Sequence, residues 1–333
     1  ALTIFSRKSI EYALIFRSTH HLSIVPYLAG KRCIFKRNST SGADNQYGAV
    51  IRVIGYRSSG KTTFMAALAR WPNTSSNSPV QSVTATNEGG QELINKARNI
   101  LEQGEQLEFT RLDANANEII DYNINIKLKD KFSWRNPKLG KGNRIIDLNI
   151  SCKDYAGEFF NDLLQPTNNP RLDSYLEDCV MSDGIALLID GASHTMDTEY
   201  AMGLDKFLKA LDRNEIEARK RRIAVILTKA EHGEVFATRD RPANITVSRR
   251  FAQVYQTLQL WHDSKAGKIE FFTASAFGTL GNQYLEPNST IIRRGAEGTT
   301  AVIKTPKLWR PFGLISPLYW LCTGERHPDL DKD

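Results

Sequence analysis

The stretch Gly55-Tyr56-Arg57-Ser58-Ser59-Gly60-Lys61-Thr62 decides how the rest of the chain is read. It has the spacing G-x-x-x-x-G-K-[S/T]. A β-branched run, 49–54, leads into it, and a helical run, 62–70, leads out and stops before Trp71-Pro72. A strand entering such a loop and a helix leaving it make the pattern a phosphate cradle. Glycines let the backbone close around an anion. The N–H groups of Ser58, Ser59 and Gly60, with those of Lys61, Thr62 and Thr63 at the helix start, point toward it. Lys61 would reach the outer phosphates, and the Thr62 hydroxyl would hold Mg²⁺. With ordinary residue usage, on the order of 0.01 chance matches are expected in such a chain. Arg57 would act as a charge donor to a phosphate, or else be a solvated or salt-bridged side chain.

Outward from the loop, strand and helix signals alternate. Residues 73–88 read as a polar loop, and Leu93, Ile94, Ala97, Ile100 and Leu101 space a helix over 91–102. Residues 117–128 and 145–152 each alternate and look like an antiparallel pair. The runs 184–189 and 223–227 are continuously apolar, as suits central parallel strands covered on both faces. Leu204, Phe207, Leu208 and Leu211 mark one amphipathic helix. Phe251, Val254, Tyr255 and Leu258 mark another before a strand at 269–273. This order predicts an α/β three-layer sandwich: a mostly parallel sheet with one antiparallel edge strand, and helices on both faces.

Three further motifs follow predicted strands. Asp154-Tyr-Ala-Gly157-Glu158 follows 145–152, Thr228-Lys229-Ala230-Glu231 follows 223–227, and Thr273-Ala-Ser275-Ala276 follows 269–272. A carboxylate at Asp154 would hold Mg²⁺ through water, and the Gly157 N–H would face a γ-phosphate. P-loop, DxxG, [NT]KxD-like motif and SA-type loop, in that order over 49–278, resemble the TRAFAC-class GTPases. The short DxxGE form, the long insert at about 73–116 and the Trp/Pro-rich tail look most like the bacterial double-GTPase type domains.

The resemblance implies a P-loop fold, GTP or GDP with Mg²⁺ as ligands, and a regulatory switch, often within defence or signalling systems. It makes Thr228, Lys229 and Glu231 readers of the base, with Ser275 and Ala276 giving backbone contacts. Glu231 stands where the family has Asp, which leaves ATP open as a ligand. Phe277 stands where it has Lys. Glu158 stands at the usual water-orienting glutamine, so turnover is expected to be slow. The catalytic set is Lys61, Gly157 and Glu158. A second Mg²⁺ hydroxyl is expected between the P-loop helix and Asp154: Thr110, with Thr84 and Thr86 as alternatives.

Composition bounds the rest. The 333 residues are 41% hydrophobic and 24% charged, enough to bury a core. About 18 consecutive apolar residues, the minimum for a membrane-spanning helix, occur nowhere. Four scattered cysteines form no CxxC pair, which fits a reducing, cytoplasmic compartment. The net charge of +7 sits mostly in residues 1–43, where seven basic side chains face the single acid Glu11. The remainder carries 37 basic and 36 acidic groups, so nucleic-acid binding is not expected.

Residues 1–45 read as a basic extension: a targeting segment, a translated upstream stretch or artefact, or an irregular arm. Residues 46–333 read as the P-loop domain. Within it, 219–222 reads as a solvated basic helix end and 288–300 as a polar loop. The aromatic tail, 307–321, reads as packing on the sheet. Three functions stay open: a GTP-binding, slowly hydrolysing switch acting on a protein partner; an ATPase without guanine specificity; and a nucleotide-holding module without turnover.

Overall fold

The run before the glycine loop extends into β1 (Asn45–Gly55), and the run after it becomes α1 (Lys61–Arg70). The computed structural model describes residues 45–56, 58–70, 80–102, 120–130, 144–154, 159–164, 170–213, 221–281, 285–293, 299–328 and 330–331. The basic stretch 1–43 lies outside them. The chain continues through β2 (Val80–Ala85), α2 (Glu88–Glu102), β3 (Ile120–Asp130), β4 (Arg144–Asp154), α3 (Phe159–Leu164), α4 (Pro170–Met181), β5 (Gly184–Asp190) and α5 (Asp197–Arg213). Next come β6 (Arg221–Thr228), α6 (Gly233–Ala237), α7 (Ser248–Arg250), α8 (Ala252–Asp263) and β7 (Gly267–Thr273). The C-terminal part adds β8 (Thr279–Leu280), β9 (Glu286–Pro287), β10 (Ser289–Arg293), β11 (Thr299–Ile303) and α9 (Ser316–Thr323).

The first seven strands form one sheet in the order β2-β3-β4-β1-β5-β6-β7. β4, β1, β5, β6 and β7 run parallel. β3 runs antiparallel to β4, and β2 antiparallel to β3. The chain is therefore an α/β P-loop sandwich with the antiparallel strand at one edge region of a mostly parallel sheet.

Burial explains the two sequence patterns. One core lies under α1, α2 and α9, and a second lies under α3, α4, α5 and α8. β5 gives Ala186 and Leu188 to the first, and Ile185, Leu187 and Ile189 to the second. A strand wetted on neither face must be apolar throughout. β3 and β4 give Tyr122, Ile124, Ile126, Leu148, Ile150 and Cys152 to the first core only, so they alternate. On their other face Asn125 Nδ2 donates to Asp147 at 2.5 Å and to Asn149 at 2.6 Å.

Three expectations are corrected. Residues 80–85, read as loop, form β2 at the sheet edge. Residues 288–300 are expected to be a polar loop, but 289–293 pair with 299–303 as an antiparallel ladder. Arg221 and Arg222 do not end a helix but open β6. Their guanidiniums nonetheless donate to carbonyls at the ends of other helices. Arg221 Nη1 reaches Leu211 O at 3.3 Å and Arg222 Nη1 reaches Leu321 O at 2.6 Å. The attraction of cations to helix C-termini is satisfied across space instead of along the chain. The tail packs as expected: residues 316–322 of α9 are all buried.

Candidate functional site

The phosphate loop is built by two residues in the left-handed region, Ser58 (φ 64) and Gly60 (φ 82). Only glycine takes such a φ without cost, which explains the glycine before Lys61. At Gly55 a Cβ would sit 2.5 Å from Leu188 O, so the loop leaves β1 pressed against β5. Ser59 N–H donates to Tyr56 O at 3.1 Å, and Phe64 N–H donates to Gly60 O at 2.8 Å, starting α1. Lys61 is buried, and its Nζ folds back over the loop to Gly55 O (3.0 Å) and Tyr56 O (3.3 Å). The Ser59 hydroxyl is buried with no hydrogen-bond partner among the described residues. Thr62 and Thr63 are half-buried on the first turn of α1. The Ser59 N–H, expected to face an anion, is donated within the loop; the helix start at Lys61–Thr63 with the Lys61 ammonium over the loop is the arrangement that would hold one.

Other strand ends converge on this loop. Thr228, the last residue of β6, donates its hydroxyl to Ser59 O at 2.7 Å and lies 3.1 Å from Ile189 O. Lys229, with φ 55, places Nζ 2.6 Å from Asp190 Oδ2. Asp190 ends β5, is buried, and also accepts Ala192 N–H (3.0 Å) and the Ser193 hydroxyl (2.9 Å). Sequence reasoning missed Asp190. Its signal is a carboxylate closing an apolar run, as Asp154 follows an alternating one.

Glu231 is 3% exposed, and its Oε2 has no partner among the described residues. Burial pushes its carboxyl above the ordinary value; a hydrogen bond from the Ser275 hydroxyl, its own backbone N–H, His232 and Lys229 pull the other way. The turns after β6 and β7 are joined by the Ala230 N–H, which donates to Ala274 O at 3.2 Å. Ser275, expected with Ala276 to give backbone contacts to a base, donates its N–H to Phe312 O at 3.0 Å, and Ala276 is half-buried beside it.

An aromatic stack, also missed, anchors the loop from below. The Tyr56 ring lies on Phe160 of α3, with centroids 4.5 Å apart and planes 7° apart, and its phenol donates to Glu199 O. Phe159 adds edge contacts to Tyr175 and Phe207. Burial pushes the Tyr56 phenol upward, so it stays neutral. α3 begins directly after the DxxGE segment, so this stack ties that segment's far end to the phosphate loop.

Arg57, Thr110, Gly157 and Glu158 lie outside the described residues. Asp154 is described as the last residue of β4, its side chain excepted. The register sets Asp154 opposite Val53, one strand from β1 and just short of the loop. Thr84 pairs with Asn125, Asn125 with Asn149, and Asn149 with Gly48. That leaves Thr84 about 14 Å across the sheet and about 23 Å along it from Gly55. Thr86, whose N–H donates to Asn123 O at 2.9 Å, lies at the same distant edge. Neither alternative threonine meets the loop in this arrangement. A threonine hydroxyl and an aspartate are hard oxygen donors of the type that would suit Mg²⁺, which keeps most of its shell as water and phosphate oxygen. Among the described residues, no helix is long and apolar enough to cross a membrane.

No family model matches the chain, and no curated protein matches it in sequence. Solved structures resemble it in chain course. The Arl6/BBS3 small GTPase of Trypanosoma brucei, bound to GppNp, is 11% identical, with TM-score 0.32 over 69% of this chain and 87% of that one. The signal recognition particle receptor SRb-GTP/SRX complex of Chaetomium thermophilum is 12% identical, with TM-score 0.36 over 70% and 92%. The Ski7 GTPase-like domain of S. cerevisiae, bound to GTP, is 14% identical, with TM-score 0.36 over 72% of this chain but 47% of that one.

Proposed function

We propose that this chain is a Mg²⁺-dependent nucleoside-triphosphate switch that prefers GTP, hydrolyses it slowly and passes its state to a protein partner. The observation that carries the reading is the Thr228 hydroxyl on Ser59 O at 2.7 Å. It fastens the phosphate loop to the strand end from which the turn bearing Glu231 departs, which supports reading the loop as a phosphate cradle and Glu231 as the carboxylate that would meet a base. Loop N–H groups and Lys61 hold the phosphates and offset their charge. Thr62, with Asp154 through water, holds Mg²⁺, which neutralises charge developing on the transferred phosphoryl group. Gly157 would donate its N–H to the γ-phosphate, and Glu158 would orient the attacking water. A carboxylate near γ-oxygens orients water less favourably than an amide, so turnover is slow without a partner. Only the triphosphate offers γ-oxygens, so nucleotide state would order or release residues 73–116 and 154–170.

The base preference follows from hydrogen-bond inventory. An ionised Glu231 accepts two N–H groups, the edge guanine presents. A neutral Glu231 offers one donor and one acceptor, which complements adenine's amino group and N1. The burial of Glu231 therefore favours one second reading, an ATPase. Calorimetry with non-hydrolysable GTP and ATP analogues separates them. Wild type is expected to prefer the GTP analogue. Glu231→Ala is expected to bind it about 10- to 100-fold more weakly, with the ATP analogue little changed. Equal affinities, unmoved by the substitution, would sink the guanine reading. Mg²⁺-dependent phosphate release, measured for wild type and Glu158→Ala, then distinguishes a hydrolase from a holding module.

A further inference from the structure

Ser275, at the bend after β7, is fully buried. Its N–H donates to Phe312 O at 3.0 Å, and its C=O accepts the Phe312 N–H at 3.1 Å, forming an antiparallel bridge. Its hydroxyl accepts the Gly278 N–H at 2.8 Å, and the neighbouring Ala274 O accepts the Ala230 N–H of the Glu231 turn at 3.2 Å. The next carbonyl, Ala276 O, accepts the Trp309 indole N–H at 2.8 Å. Gly278 forms a further bridge with Arg310.

The approach is close on both sides. A Cβ on Gly278 would overlap Arg310 O, and one on Gly313 would overlap Thr273 O. On its other flank, the Phe312 ring meets Phe236 edge-on, with centroids 5.9 Å apart. Phe236 belongs to α6, which follows the Thr228–Glu231 turn. The segment 309–313 thus bonds the bend after β7 and touches the helix that follows the Thr228–Glu231 turn. Among the described residues, none of its hydrogen bonds reaches the phosphate loop.

We propose that 309–313 is a strap that holds the base-side bend 274–278 against the Glu231 turn and thereby sets how fast nucleotide leaves. The proposal rests on the nucleotide reading given above. A base escapes when these turns part. Strap bonds formed by a distant part of the chain resist that parting while leaving Lys61 and its loop untouched. Trp309 and Phe312 are accordingly positioning residues that act through Ser275, Ala276 and Phe236.

Two variants of the full chain test this. Trp309→Phe keeps an aromatic ring and deletes the indole donor. Gly313→Ala crowds Thr273 and adds strain at a positive φ (68°). Dissociation of ribose-labelled fluorescent GDP is expected to quicken about 3- to 10-fold in each, the range that one lost hydrogen bond supplies. Affinity for inorganic tripolyphosphate, which probes the phosphate loop alone, is expected to stay unchanged. An unchanged GDP dissociation rate overturns the proposal. So does an equal loss of tripolyphosphate binding, which would mark a general structural role.

Amide hydrogen exchange across 274–278 in the nucleotide-free chain gives a readout that needs no ligand. It should speed up in both variants, and unchanged exchange overturns the strap itself. A wild-type chain that binds tripolyphosphate but no GDP overturns the base reading, and with it the strap's role in release. The exchange result still reports separately whether the strap holds the bend.

Discussion

Glu231 concentrates the chemistry of the site in one side chain. It replaces the shorter carboxylate of the resembled motif, lies 3% exposed, and keeps one oxygen without a partner among the described residues. Its carboxyl is raised in the fold above its ordinary 4.5, first by burial. The folded chain therefore holds a proton at pH values where the unfolded chain has lost it. The resulting stability is full below the unfolded value and fades as pH rises through the folded one. Glu231→Gln keeps the shape and removes the ionisation. Its thermal midpoint is expected to exceed that of wild type at pH 8, with the gap closing toward pH 4. A gap of the same size at both pH values would show that ionisation is not the cause. The nucleotide, by supplying N–H donors, would offset the same desolvation.

At the level of elements, α3 links the motif-bearing segment to the loop. Phe160 is 1% exposed and stacks on Tyr56. Phe160→Ala is expected to cost about 3–5 kcal/mol of unfolding free energy in denaturant titrations, the usual cost of emptying a buried aromatic site. A change below about 1 kcal/mol would mean the cluster repacks freely.

Most elements were legible from periodicity because their burial is regular. β5 and β6 are covered on both faces and read as apolar runs, while β3 and β4 are covered on one and alternate. β2 escaped because a register shift between Val80 and Ser82 puts its two buried residues, Val80 and Val83, at a spacing of three. Such a spacing breaks the period of two. β10 and β11 escaped because they form their own ladder outside the main sheet, with Ile291 57% exposed. In the site, the loop and the Thr228–Glu231 turn were visible as motifs. Asp190, Tyr56, Phe160 and Phe312 were not, because each matters through a partner far away in sequence.

At the scale of the whole molecule, the parallel strands point their C-terminal ends one way. Gly55, Asp154, Asp190, Thr228 and Thr273 each close a strand along that edge. In open α/β sheets the crevice beyond these ends is where ligands bind. The sheet thereby gathers the phosphate loop, two strand ends that carry aspartates and the turns after β6 and β7, while the helices cover both cores. The basic stretch 1–43 has no motif linking it to this edge, so the net charge of +7 says little about the crevice.

The central claim is that Lys61 and its loop hold a nucleoside triphosphate. Calorimetric titration of wild type and Lys61→Ala with a non-hydrolysable GTP analogue and Mg²⁺ tests it most directly. The account predicts saturable one-site binding by wild type and about 100-fold weaker binding by Lys61→Ala, the loss expected for charge-assisted phosphate contacts. Equal binding by the two proteins, or no binding by wild type, would contradict it.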